Sequence, residues 1–280
     1  MNLVFSYSGV MNLPRLYLQV GLQAKRDTQE VLRKYFQLLK PKEYCNVLDV
    51  GCGPGNITHD VLYPLLPKTI NKLVGIDISQ KMINFAKENY ANSKIEFFEM
   101  DIVANPIAKN FEEHFDCIFS FYCLHYVSDH KKALLNIHKM LKPGGTILLN
   151  FMSKCIVFNV DRNLSQRKEW QPYFSNLKTT ETPTAFCNES RRKFESLLIE
   201  TGFISHVCRE TKRMYVYSEE LLAKLMIAVS FSNIPDHLED YYISEYFKCL
   251  DDRNFVHVDE NDKTNFHVPY TMLTIYATKI

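Results

Sequence analysis

The 280-residue chain is 46% hydrophobic and 23% charged, with a formal net charge of +1 at pH 7. That length and usage suit one large domain, or one domain with a substantial insertion, and the near-zero charge leaves no electrostatic footprint for nucleic acid or an anionic membrane. The eight cysteines, at 45, 52, 117, 123, 155, 187, 208 and 249, form no C-x-x-C pair and no zinc-spaced cluster, which suits a reducing, cytoplasmic setting better than a disulfide framework.

At the N-terminus, MNLVFSYSGVMNL has neither a charged n-region nor a long apolar stretch, so no signal peptide is predicted, and no later run is long enough for membrane insertion. From Pro14 to Lys40 apolar residues fall mainly at helical spacing and stop at the breaker Pro41, predicting a helix. CNVLDV is then a short buried strand ending at a glycine turn, NITHDVLYPLL begins a helix, and NKLVGIDI is the next strand. Ser79 is a candidate N-cap for the helix QKMINFAKENY, whose Met82, Ile83 and Ala86 make an apolar face. KIEFFEMDI and FDCIFSFY are the third and fourth strands. The amphipathic helix SDHKKALLNIHKMLK closes at PGG, and the strand TILLNFM follows.

This alternation, with near-continuous apolar strands, predicts an α/β fold with a doubly wound, mostly parallel sheet covered by helices on both faces. In such sheets ligands sit beyond the carboxyl ends of the strands, and three of those ends carry special residues: Asp49 to Gly55, Asp77 and Asp101. After this core the pattern breaks. Residues 153–188 are polar and mixed, hold the single Trp170, and predict an insertion. ESRRKFESLLIETGF resumes as a helix ending at Gly202, and ISHVCRETKRMYVY as a strand. Residues 218–250 form a second, helical insertion rich in large apolar groups (Leu221, Leu222, Leu225, Met226, Phe231, Tyr241, Tyr242, Phe247), and YTMLTIYATKI is a final strand.

The glycine turn limits the cofactor. Gly51 and Gly53 let backbone approach a ligand, and Asp77, 22 residues after Gly55, stands where a carboxylate accepts from ribose hydroxyls. A dinucleotide site requires a third glycine where Asn56 stands, and Asp49 would repel a pyrophosphate while suiting the ammonium of a methionine moiety. A nicotinamide oxidoreductase is therefore disfavoured.

LDVGCGPG, GIDIS, MDI and LKPGG, in this order and at compatible spacing, resemble the class I S-adenosylmethionine-dependent methyltransferases over roughly residues 45–152. The resemblance implies a Rossmann-like seven-stranded sheet and S-adenosylmethionine as cofactor. It places Asp49 and Gly51 at the methionine end, Asp77 at the ribose, and Asp101 with Ile102 at the adenine. Cys52, Gly53, Gly55, Asn56, Ile78, Met82, Phe121 and Tyr122 are the further residues expected at the cofactor. SFYCLHYV, RLYLQVGLQAKRD and PYTMLTIYATK further resemble the insect juvenile hormone acid O-methyltransferases, from about Leu13 onward. By that likeness the partner is a lipophilic carboxylic acid such as farnesoic or juvenile hormone acid, Gln23, His125 and Tyr126 hold its carboxylate, and the protein is a monomer or homodimer. The implied layout is an extension at 1–12 (Met11 matches the usual start better than Met1), a helical cap at 13–44 and the cofactor core at 45–152. The insertion at 153–188 and a C-terminal part at 189–280, with a substrate lid at about 218–250, complete it.

Two positions depart from that family. Tyr126 replaces a tryptophan, and Ala24 replaces a glutamine, with Gln23 one position earlier and so rotated by about 100° on a helix. Tyr126 keeps a hydroxyl donor; Ala24 offers none. The alternatives are a different acid as substrate, or a binder of lipophilic acids with little turnover. Since a carboxylic acid is already ionised at neutral pH, no general base is required and His125 is expected to orient the substrate.

Overall fold

The computed structural model describes residues 12–174, 189–229, 234–251, 255–260 and 262–280. β1 (Asn46–Val50) lies between β2 (Lys72–Asp77) and β4 (Phe115–Phe121), parallel to both; β3 (Ile95–Glu99) extends the sheet beyond β2, and β5 (Leu141–Cys155) pairs parallel with β4. β8 (Thr264–Lys279) runs antiparallel between β5 and β6 (Phe203–Ser218), giving the order β3-β2-β1-β4-β5-β8-β6. These seven strands match the expected sheet, and a three-residue β7 (Val256–Val258) pairs with β8 as an eighth.

Adjacent residues of β1 enter opposite cores, as period-two side chains require when both faces are covered. Val47 packs with Leu73, Phe97, Phe119 and Ile83 of α3 (Gln80–Tyr90), and with Val31, Leu32 and Tyr35 of α2 (Leu22–Leu39). Leu48 packs on the other side with Ile118, with Leu134 and Ile137 of α4 (His130–Met140), and with Phe194 and Leu198 of α6 (Ser190–Glu200). A third core of aromatic character joins α5 (Ile156–Ser165), α7 (Glu219–Val229) and α8 (Glu239–Asp251) through Trp170, Tyr242, Tyr246 and Phe266.

The strand order reverses between β1 and β4, so the loops leaving these two strands part and open a crevice, as the switch-point rule requires. Three elements differ from the sequence reading. The N-terminal helix is two, α1 (Pro14–Val20) and α2, because Gly21 relaxes out of helical geometry with its N–H on Tyr17 O. After the glycine turn the chain makes a wide π-turn at Thr58–Leu62 and a 3₁₀ turn at Tyr63–Leu65, since Pro64 prevents a regular helix from continuing. Residues 153–165 are ordered as the end of β5 and as α5 rather than irregular, while 175–188, Phe231 and residues 1–11 of the expected extension lie outside the described residues. Among the described residues no helix is long and apolar enough to cross a membrane.

Candidate functional site

The turn after β1 carries left-handed backbone at Gly51 (φ 76°) and Gly53 (φ 54°). A Cβ on Gly51 would lie 2.3 Å from the Cys123 side chain, so its absence lets the loop after β4 close on the turn; Gly53 has nothing within 4 Å and faces open space. Asp77, at the end of β2, fastens this turn. Its Oδ2 accepts from Gly53 N at 2.9 Å and its Oδ1 from Ser79 N at 2.8 Å, while burial pushes its carboxyl up against the pull of those two bonds. Asp49 is 2% exposed; burial pushes it up to about 7, partly offset by Thr58 Oγ1, which donates to Oδ2 at 2.6 Å. The π-turn delivers that threonine.

These groups line a cavity of about 1230 Å³ including its mouth. Of the thirteen residues expected at the cofactor, Asp49, Gly51, Cys52, Gly53, Asn56, Asp77, Ile78, Asp101, Ile102, Phe121 and Tyr122 line it. Gly55 and Met82 do not. A Cβ on Gly55 would meet Ala86 Cβ at 2.9 Å, so that glycine lets α3 approach the turn, and Met82 is fully buried core. Asp101 turns one oxygen to Val103 N, 3.0 Å away. Among the described residues the buried Thr28 Oγ1 and Asn56 Oδ1, both in the cavity wall, have no hydrogen-bond partner. A bound polar ligand satisfies such groups.

A second cavity of about 680 Å³ adjoins the first, and Tyr17, Ala24, Tyr122 and Tyr126 belong to both walls. Val20, Met152, Val157, Phe158, Leu225, Met226 and Val229 make most of it apolar, so α7 of the expected lid contributes wall, whereas Tyr241 is half exposed and Phe247 stacks on Phe266. Gln23, His125 and Tyr126 meet here. Tyr217 OH donates to Gln23 Oε1, which turns the amide NH₂ the other way. His125 is 2% exposed, and neither ring nitrogen has a partner among the described residues; its ring centroid lies 4.2 Å from that of Tyr126 and 6.0 Å from that of Phe158. Burial, and then His130, push His125 down to about 3, leaving a neutral imidazole with one N–H to donate.

Sequence reasoning missed Asp27. Fully buried, it accepts from the hydroxyls of Tyr122 and Tyr270 (2.7 Å), from Arg26 at 2.9 Å and from Arg213 at 3.3 Å. The bond to Tyr122 holds a non-glycine residue at φ 55° between the two cavities. One signal was available: Gln23, Asp27 and Val31 recur every fourth residue, so a carboxylate stands on the inward face of an amphipathic helix.

A family profile described as "Methyltransferase domain" matches residues 41–219. The chain is 30% identical to the juvenile hormone acid O-methyltransferase of Bombyx mori, over 96% of this chain and 98% of that one. It is 28% identical to the enzyme of the same name from Drosophila melanogaster, over 96% and 93%. A crystal structure from Bacillus halodurans, of a protein described as a methyltransferase, superposes with a TM-score of 0.58 at 15% identity, covering 89% of this chain and 98% of its own. At that identity the likeness is one of fold.

Proposed function

Because the chain belongs to the class I S-adenosylmethionine-dependent methyltransferases, we propose that it forms the methyl ester of a lipophilic carboxylic acid of the juvenile hormone acid or farnesoic acid type. The observation that carries this reading is His125. A buried, neutral imidazole without a partner, in an apolar cavity beside the cofactor cavity, lacks an acceptor. Leaving such a donor unsatisfied costs about 1–3 kcal/mol, which a carboxylate oxygen offsets.

The residues of the larger cavity fit the cofactor. Asp49 would hold the methionine ammonium, Asp77 the ribose hydroxyls through lone pairs its backbone donors leave unused, and Ile78 with Ile102 the two faces of the adenine. When bound, S-adenosylmethionine supplies an electrophilic methyl group on a sulfonium, a leaving group that departs without a proton.

Everything else is positioning. An acid with a pKa near 4–5 arrives ionised, so nothing needs to remove a proton, and an imidazole held at about 3 has little capacity to do so. His125 would donate its N–H to one carboxylate oxygen, with Gln23 NH₂ and Tyr126 OH as further donors, so that the other oxygen is left to face the cofactor cavity. Methyl transfer to that oxygen would leave the cofactor as a neutral thioether, so these residues would have no proton to move. The apolar wall excludes water and takes the hydrocarbon tail.

The departure at Ala24 favours a second reading, binding without turnover, because this residue sits at the junction of the cavities and offers no polar atom. Incubation with labelled S-adenosylmethionine and a panel of apolar acids, with methyl esters read by mass spectrometry, decides between them. Ester formation is expected; saturable acid binding without ester at any substrate tested refutes the enzymatic reading.

A further inference from the structure

A further open cleft of about 1050 Å³ shares Cys155 with the wall of the apolar cavity. Its lining includes Lys154, Arg162, Lys212 and Arg213, with Tyr270 and Thr271, and, among the described residues, no aspartate or glutamate. Lys154 of β5 and Lys212 of β6 both pair in register with Thr271 of β8, so the three occupy one row across the sheet and the two lysine Cα atoms stand about 10 Å apart. Neither lysine has an ion-pair or hydrogen-bond partner among the described residues.

The nearby charge does not balance them. Asp27 and Glu30 are already shared by Arg26 and Arg213, two carboxylates against two guanidinium groups. Glu210, on the same strand as Lys212, accepts from Ser153 at 3.5 Å and interacts with the Arg191 charge, and it forms no ion pair with either lysine. Arg213 also keeps a buried Nε without a partner among the described residues. Like charges flanking one hydroxyl in a sheet row repel, and a bridging oxyanion reverses the sign of that interaction. A concave surface with no carboxylate among its described lining residues focuses the positive potential of the two lysines, which the net charge of +1 conceals.

We propose that this cleft is a second binding site, distinct from the two cavities, for a phosphate-type oxyanion: a phosphate ester or diphosphate, free or carried on a lipid headgroup. Lys154 and Lys212 grip it from either side of Thr271, whose hydroxyl donates between them.

The test is calorimetric titration of the full chain with inorganic pyrophosphate, and flotation with phosphatidylcholine vesicles containing phosphatidic acid. Both are repeated on K154Q/K212Q and on K154E/K212E. Saturable, salt-sensitive pyrophosphate binding is expected, weakened at least about tenfold in the glutamine pair and abolished in the glutamate pair. S-adenosylmethionine titration of the same samples should be unchanged, which shows that the variants are folded. Vesicle binding that pyrophosphate displaces and both variants lose assigns the oxyanion to a lipid; pyrophosphate binding without vesicle binding assigns it to a soluble ligand. The proposal is overturned if neither probe binds saturably, or if binding persists undiminished in both variants.

Discussion

With Asp49 holding the methionine ammonium as proposed, cofactor binding and folding stability should depend on pH in opposite senses. Holding this carboxyl at about 7, against an ordinary 3.8, penalises its charged form by on the order of 4 kcal/mol. A folded-state value above the unfolded one contributes stability that is complete below about pH 4 and is lost as pH rises to about 7. The protein without ligand should therefore soften over that window. Binding of the methionine ammonium requires the ionised carboxylate, a fraction that rises from about a tenth at pH 6 to about nine-tenths at pH 8, so affinity should rise about tenfold between them. Asp49→Asn is nearly isosteric and can still accept from Thr58. At pH 8 it should raise the melting temperature of the ligand-free protein by at least about 2 °C, because it removes a buried charge. It should also weaken S-adenosylmethionine binding by about 1.5–3 kcal/mol. Differential scanning fluorimetry and calorimetry from pH 5.5 to 8.5 read both quantities. Affinity that is flat from pH 6 to 8, or that has the same slope in Asp49→Asn as in the native chain, refutes the assignment.

Other positions give sharp expectations. Replacing His125 with phenylalanine should lower kcat/KM for the acid by about 10- to 150-fold through a lost hydrogen bond to a charged group, while pH–rate profiles of both proteins at saturating S-adenosylmethionine lack an ionisation near 6.5; a native limb there that vanishes in the variant would make the imidazole a base. Tyr126→Phe should cost a similar factor, whereas Ala24→Gln with Tyr126→Trp should raise turnover of farnesoic-type acids, and a slower reverted enzyme contradicts the positioning argument. Gly51→Ala places a methyl 2.3 Å from Cys123 at a φ of 76° and should abolish detectable cofactor binding by calorimetry, in contrast to Gly53→Ala, which meets no atom and should bind weakly. Asp27→Ala should lower stability by about 3–5 kcal/mol in urea denaturation, because it leaves the hydroxyls of Tyr122 and Tyr270 without their carboxylate acceptor and Arg26 without its ion pair, while Arg213 keeps Glu30; a loss below about 1 kcal/mol would show that Tyr122 is held by something else.

What the sequence by itself determined is the part governed by local pattern. Apolar runs ending in Asp49, Asp77 and Asp101, the glycines between Val50 and Asn56, and the Ser79 cap are legible because strand length, turn geometry and capping depend on neighbours within a few residues. The position of the crevice follows too, since alternation of strands and helices dictates a parallel sheet and a switch point. Only the tertiary structure decided what depends on distant partners. Gly55 and Met82 share the motif's spacing but serve packing of α3, which is visible only once Ala86 and Phe97 are in place. Asp27 stands in the sequence only as the last residue of the RLYLQVGLQAKRD stretch, yet its partners Tyr122, Arg213 and Tyr270 are 95, 186 and 243 residues away. His125 is singled out by the absence of a partner, a property no motif encodes. The positive cleft is likewise invisible in a chain of near-zero net charge, because Lys154 and Lys212 become neighbours only when β8 threads between their strands.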